Sequence, residues 1–184
     1  MRKICLRVRC FAVLISTSLL TNAADVISTW DGSTGNWSDV SHWDSTDFPN
    51  NGNGGFTFDA NINSGSLAVD QAINIDALAF SGGTIGGSDA LMLTPLDWTG
   101  GTFNSTGLVT VGGGTLGADV FSSLRLDGTT LRLTGDVEWV GDSIIQGSSL
   151  GTHKLLDIVP GQCTRPDPLR LSCLLRGAGR SHSV

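Results

Sequence analysis

Apolar and polar residues alternate along most of the middle of the chain. Phe56, Phe58, Ala60 and Ile62 alternate with Thr57, Asp59 and Asn61. Leu67 and Val69, then Ile73 and Ile75, alternate with Asp70, Asn74 and Asp76. Farther on, Leu124 and Leu126 flank Arg125, Leu131 and Leu133 flank Arg132, and Val137 and Trp139 flank Glu138. A period of two with charges on the opposite side describes short strands, one face buried and one wet. No stretch sustains an i, i+3, i+4 pattern, and each interior glycine would cost a helix about 1 kcal/mol. The pattern predicts an all-β chain.

One phrase punctuates these strands: apolar, any residue, Gly, any residue, Thr or Ser, apolar. Its five copies begin at Phe80, Trp98, Val111, Leu126 and Trp139, with starts 18, 13, 15 and 13 residues apart. A sixth, Ile145 to Leu150, follows only six residues after the fifth. Recurring strand-and-turn units point to stacked coils. In a β-solenoid, equivalent positions stack about 4.8 Å apart, so like lies on like. On that reading Thr84, Thr102, Thr115, Thr130 and Ser143 form one hydroxyl ladder. Gly82, Gly100, Gly113, Gly128 and Gly141 supply a positive φ at each corner without a Cβ penalty. The predicted fold is a right-handed parallel β-helix of about five coils behind a Trp-rich N-terminal cap. A β-sandwich, with the same phrases as hairpin turns, is the alternative.

Composition divides the chain. Residues 1–24 carry four bases and no acid, with an apolar run from Cys10 to Leu20 and small residues at Ala23-Ala24. This reads as a signal peptide for export, the run being about half the roughly 20 residues that a membrane-spanning helix needs. Residues 25–152 carry fifteen acids, two bases, 22 of the 25 glycines, and no Cys, Lys or Tyr. Disulfides therefore cannot hold this part together. Its negative field opposes binding to phosphate backbones and anionic lipid, so nucleic acid and membrane insertion of the mature chain are excluded as expectations. Residues 153–184 turn basic and hold three of the five prolines and two of the four cysteines. The break near Thr152 suggests a shifted reading frame and a truncated fragment of a longer protein. A native disordered tail, with a Cys163–Cys173 disulfide, is the alternative. The organisation expected is thus a signal peptide over 1–24, a Trp-rich cap region over 25–65, solenoid repeats over 66–152 and an atypical basic tail over 153–184.

Candidate chemistry gathers near the start. Trp30, Trp37 and Trp43 alternate with Asp31, Asp39 and Asp44. Exposed indoles stack on sugar faces and carboxylates accept sugar hydroxyls, so Trp30, Trp37, Trp43, Asp31 and Asp44 form a candidate glycan-binding patch. The competing reading is a cap in which these aromatics cover the open end of the core. Calcium prefers six to eight closely spaced oxygens. Asp44-Ser45-Thr46-Asp47 and the loop 50–55 with Asp59 come nearest, but solvated turns explain them better. No catalytic residue or cofactor is expected. Among fifteen acids some glycosidase-like pair arises by chance, Arg125 and Arg132 are the only bases of the body, and His42 is its only histidine.

The stretch Gly128-Thr129-Thr130-Leu131-Arg132-Leu133-Thr134-Gly135 resembles the Gly-Thr-Leu-x-Leu-Thr-Gly core of β-strand repeats in bacterial autotransporter passengers and related exported proteins. The opening Thr29-Trp30-Asp31-Gly32-Ser33-Thr34-Gly35-Asn36-Trp37, with His42-Trp43-Asp44 and Pro49, is similar to the Trp-rich start of such regions. The resemblance implies a right-handed parallel β-helix at the cell surface or outside, adhesive or structural in role. The chain departs from the family in having no room for a C-terminal translocator barrel. The expected function is therefore a secreted or cell-surface, non-catalytic structural or adhesive repeat protein. Its partners would be extracellular polysaccharide or cell-surface components. A secreted carbohydrate-binding module and a truncated polysaccharide-degrading enzyme are the alternatives.

Overall fold

The computed structural model describes residues 25–118, 123–141, 144–147, 156–158 and 163–164. The expected signal peptide, Ser143 and most of the basic tail, including Cys173, lie outside the described residues. Strands β1 (Asp25–Thr29) and β2 (Thr34–Asn36) open the fold. Four turns of three strands follow. They are β3 (Thr57–Ile62), β4 (Ser66–Val69) and β5 (Ile73–Ile75), then β6 (Ala77–Phe80), β7 (Thr84–Gly87) and β8 (Leu91–Leu93). The third turn is β9 (Leu96–Trp98), β10 (Thr102–Ser105) and β11 (Leu108–Val111), and the fourth β12 (Gly114–Gly117), β13 (Ser123–Leu126) and β14 (Thr130–Leu133). β15 (Val137–Val140), β16 (Ile144–Gly147), β17 (Leu156–Ile158) and β18 (Cys163–Thr164) continue the order.

The strands form three sheets, ordered β1-β3-β6-β9-β12-β15-β18, β2-β4-β7-β10-β13-β16 and β5-β8-β11-β14-β17. From β3 onward each strand pairs in parallel with the strand three places later. A sandwich of hairpins would pair consecutive strands antiparallel, so the architecture is a three-sided β-solenoid.

Like does lie on like inside it. Ile62, Phe80, Trp98 and Leu116 form one inward column. Ile75, Leu93, Val111 and Leu133 form another, and Leu67, Ile85, Phe103 and Leu126 a third. All twelve are buried. Phe80, Trp98 and Phe103 meet at the corner between the first two sheets, with Trp98 edge-on to Phe103 at 4.9 Å and Phe80 edge-on to it at 5.0 Å. Such pairs add about 0.5–1.5 kcal/mol beyond their area. Phe56, grouped with the first strand by alternation, lies outside β3 and is 41% exposed.

The single hydroxyl ladder is corrected by the register. Thr84 and Thr102 do stack, but their neighbours are Ser66 and Thr34 on one side and Arg125 on the other. Thr115 lies between Asp97 and Glu138, and Thr130 beside Leu108. The physical reason is that the phrase marks a corner, and there are three corners per turn. Phe80–Ile85 and Trp98–Phe103 turn from the first sheet to the second, Leu126–Leu131 from the second to the third, and Val111–Leu116 from the third to the first. Only the spacing of 18 corresponds to a whole turn.

The glycine column is corrected in the same way. Gly128 (φ 83°) and Gly141 (φ 65°) are left-handed as expected, but Gly82 and Gly100 are not, and their followers Gly83 (φ 89°) and Gly101 (φ 93°) are. Gly83 also lies close against the turn below, where a Cβ would come 2.7 Å from the carbonyl oxygen of Gly65.

Candidate functional site

Trp30 and Asp31 lie between β1 and β2, and Trp37, Trp43 and Asp44 in the long excursion between β2 and β3, which makes this opening turn 32 residues long instead of 18 (Thr34 pairs with Ser66, and Ser66 with Thr84). Local chemistry shapes it. Asp31 accepts the Ser33 amide at 2.8 Å and Gly32 takes φ 85°, turning the chain after Trp30. Asp39 caps a short 3-10 helix, Val40–His42, by accepting from the Ser41 amide at 3.0 Å. That helix returns Trp43 to Trp30, where the two form an isolated antiparallel bridge.

All three indoles are buried and belong to the hydrophobic core. Trp43 packs edge-on to Trp30 with ring centres 5.2 Å apart and tilted against Trp37 at 5.1 Å. Each indole N–H donates to a backbone carbonyl: Trp30 to Ser33 at 3.1 Å, Trp37 to Pro49 at 2.8 Å, and Trp43 to Trp37 at 2.8 Å. A glycan platform needs an open ring face, and these rings have none to offer in this arrangement. Asp31 and Asp44 are exposed, as the binding reading required. Both are engaged locally, however. Asp31 holds Ser33 and His42, and an Asp44 oxygen accepts the Thr29 amide at 2.6 Å. The five residues are thus brought together, but around a hydrophobic centre.

His42 is the hub of the polar side. Its ring lies over Gly35, where a Cβ would meet it at 2.8 Å, and packs on Trp30 with centres 5.1 Å apart. Nδ1 is 3.0 Å from an Asp31 oxygen and 2.8 Å from the Ser33 hydroxyl, while Nε2 lies 3.7 Å from Asp39. Hydrogen bonding to Asp31 raises the His42 pKa above its usual value. Hydrogen bonds from Ser33, then from His42, lower Asp31 to about 2, and those from Ser41 lower Asp39. These are the signatures of a locked turn, with carboxylates held ionised by their donors.

The nearest calcium-like oxygens are likewise committed. Asn50 Oδ1 accepts the Asn74 amide at 3.0 Å, Asn51 Oδ1 accepts the Phe58 amide at 2.8 Å, and the Ser45 hydroxyl donates to the Asp47 carbonyl at 2.6 Å. Among the described residues no group of three or more His, Cys, Asp and Glu side chains is placed to hold a metal ion.

Sequence reasoning missed two partners. Asp70 accepts from both the amide and the hydroxyl of Ser38, 32 residues away, at 3.1 and 2.5 Å. Thr129, the unspecified position of the fourth phrase, is fully buried and accepts the Ser105 amide at 2.6 Å. Neither has a local signal, because each partner is set by the length of a turn. Among the described residues no helix is long and apolar enough to cross a membrane. Compared with models of protein families, with curated proteins and with solved structures, the chain matches none.

Proposed function

We propose that this chain is an exported, non-catalytic scaffold with a structural or adhesive role at the cell surface, its Trp-rich segment acting as an N-terminal cap on the solenoid. One observation supports this most: the three tryptophans that most resembled a binding patch have buried rings and N–H groups bonded to backbone carbonyls. Residues used in this way serve the fold, and the strand columns are accounted for as core and corners. The acidic body favours partners other than nucleic acid or anionic lipid, such as neutral extracellular polysaccharide or cell-surface components.

A glycan array with the full chain, repeated with Trp30→Ala, Trp37→Ala and Trp43→Ala, tests the reading. Each substitution is expected to lower the melting temperature by removing a buried indole. Glycan binding that disappears in a Trp variant of unchanged melting temperature would overturn the cap. Turnover of an acidic polysaccharide by the unaltered chain would overturn the non-catalytic assignment.

A further inference from the structure

An open end of a parallel sheet is a template for more strand, because its edge amides and carbonyls have the spacing of the interior. The N-terminal edges here are filled in an unusual way. At the free edge of β1, the Asp31 amide donates to the His42 carbonyl at 3.0 Å and the Asp44 amide to the Thr29 carbonyl at 3.2 Å. The Thr29 amide, which points away from β3, donates to the Asp44 carboxylate. At the free edge of β5, the Asn51 amide donates to the Asn74 carbonyl at 2.7 Å, and the Asn74 amide donates to Asn50 Oδ1. Asn51 is itself held in place from inside the stack, where its Oδ1 accepts the Phe58 amide and its Nδ2 donates to Asp76 at 2.7 Å.

We infer that Asp44 and Asn50 form an assembly block: their side-chain oxygens occupy edge amides, those of Thr29 and Asn74, on which a strand from a second copy of this chain would otherwise add. The occupant follows from the geometry. These edges end two parallel sheets whose columns repeat turn after turn, so the strand that fits them is another turn of the same repeat. The segment around Trp43 runs antiparallel to β1, the opposite sense to every ladder between the strands, and so interrupts the pattern instead of extending it. A short side-chain acceptor satisfies the amide but carries no backbone ladder onward, which stops propagation. This inference rests on the cap proposed above and adds to it a partner and named residues.

The test uses the full chain and a variant combining Asp44→Ala and Asn50→Ala, followed by sedimentation velocity and electron microscopy over rising concentration. The unaltered chain is expected to keep a constant mass. The variant is expected to at least double its weight-average mass and to form rods of constant width. Asp44→Asn with Asn50→Asp, which keeps both acceptor oxygens, should behave as the unaltered chain. A folded double-alanine variant of constant mass overturns the inference, as does assembly by the isosteric pair or by the unaltered chain. Should the double-alanine variant fail to fold, hydrogen exchange of the unaltered chain decides: Thr29 and Asn74 amides protected like that of Leu96 support the block, and exchange at open-loop rates overturns it. A Trp37→Ala chain of unchanged melting temperature, beside a double-alanine variant that still assembles, would remove the cap and leave the block.

Discussion

The turns β3–β11 and the excursion 37–56 solve the same problem by different means. In the turns, backbone bonds to backbone across 18-residue repeats, and side chains are left free to stack as columns. In the excursion, side chains stand in for the missing strand: Asp44 for Thr29 and Asn50 for Asn74. The aromatics differ accordingly. Trp98 lies within a strand column between Phe80 and Leu116, whereas Trp37 and Trp43 lie outside any strand, the Trp43 N–H donating to the Trp37 carbonyl and the Trp37 N–H to that of Pro49. Regular stacking tolerates almost any residue that repeats at the turn length. An irregular end requires particular side chains at particular places.

The largest expected effect breaks the regular part. Trp98→Ala removes a fully buried ring from the Phe80–Phe103 corner and should cost about 3–5 kcal/mol, read from chemical denaturation. Next comes a pair that contrasts the two regions. Gly83→Ala and Gly55→Ala both place a Cβ on a left-handed residue, at φ 89° and 82°, a penalty of about 1–2 kcal/mol each. At Gly83 the Cβ also meets the carbonyl oxygen of Gly65, while at Gly55 nothing lies within 4 Å. Gly83→Ala should therefore be clearly the more destabilising, and equal midpoints for the two variants would contradict the close stacking of turns.

Thr129→Val keeps the shape and leaves the buried Ser105 amide without its acceptor, an expected loss of about 1–3 kcal/mol in the same measurement. The smallest effect belongs to the excursion and is best read as melting temperature against pH. His42 has a raised pKa, so its contribution is complete below the unfolded value near 6.5 and is lost as pH rises through the folded value. Asp31 is lowered to about 2 from 3.8, so its contribution is present above 3.8 and is lost as pH falls through 2. Both act together between those unfolded values. Asp31→Asn should flatten both limbs, since Asp31 and His42 share one hydrogen bond and face Asp39, Ser33 and Trp30. An unchanged pH profile in that variant would place the titrating groups elsewhere.

Much of the fold was legible residue by residue. Alternation named Phe58, Ala60, Ile62, Leu67, Val69, Ile73 and Ile75 as inward, and all are buried. The repeated phrase does mark a solenoid, but its copies belong to three different corners and not to one column. A phrase shorter than a turn carries no information about which corner it makes. At the candidate site, the sequence brought Trp30, Trp37, Trp43, Asp31 and Asp44 into view together. It left open whether the rings face water or the core, since apolar bulk next to carboxylates suits both.

Alternating apolar residues, frequent glycine and a recurring corner are enough to determine strands, turns and a core of stacked columns, because these depend on periods of two and on local backbone freedom. Partnership across turns depends instead on how many residues each turn consumes. That count, 18 in the regular part and 32 at the start, brings Thr102 onto Thr84 and Asp70 onto Ser38. It also folds the tryptophans inward, where burial of their rings and bonding of their N–H groups outweigh exposure to a ligand.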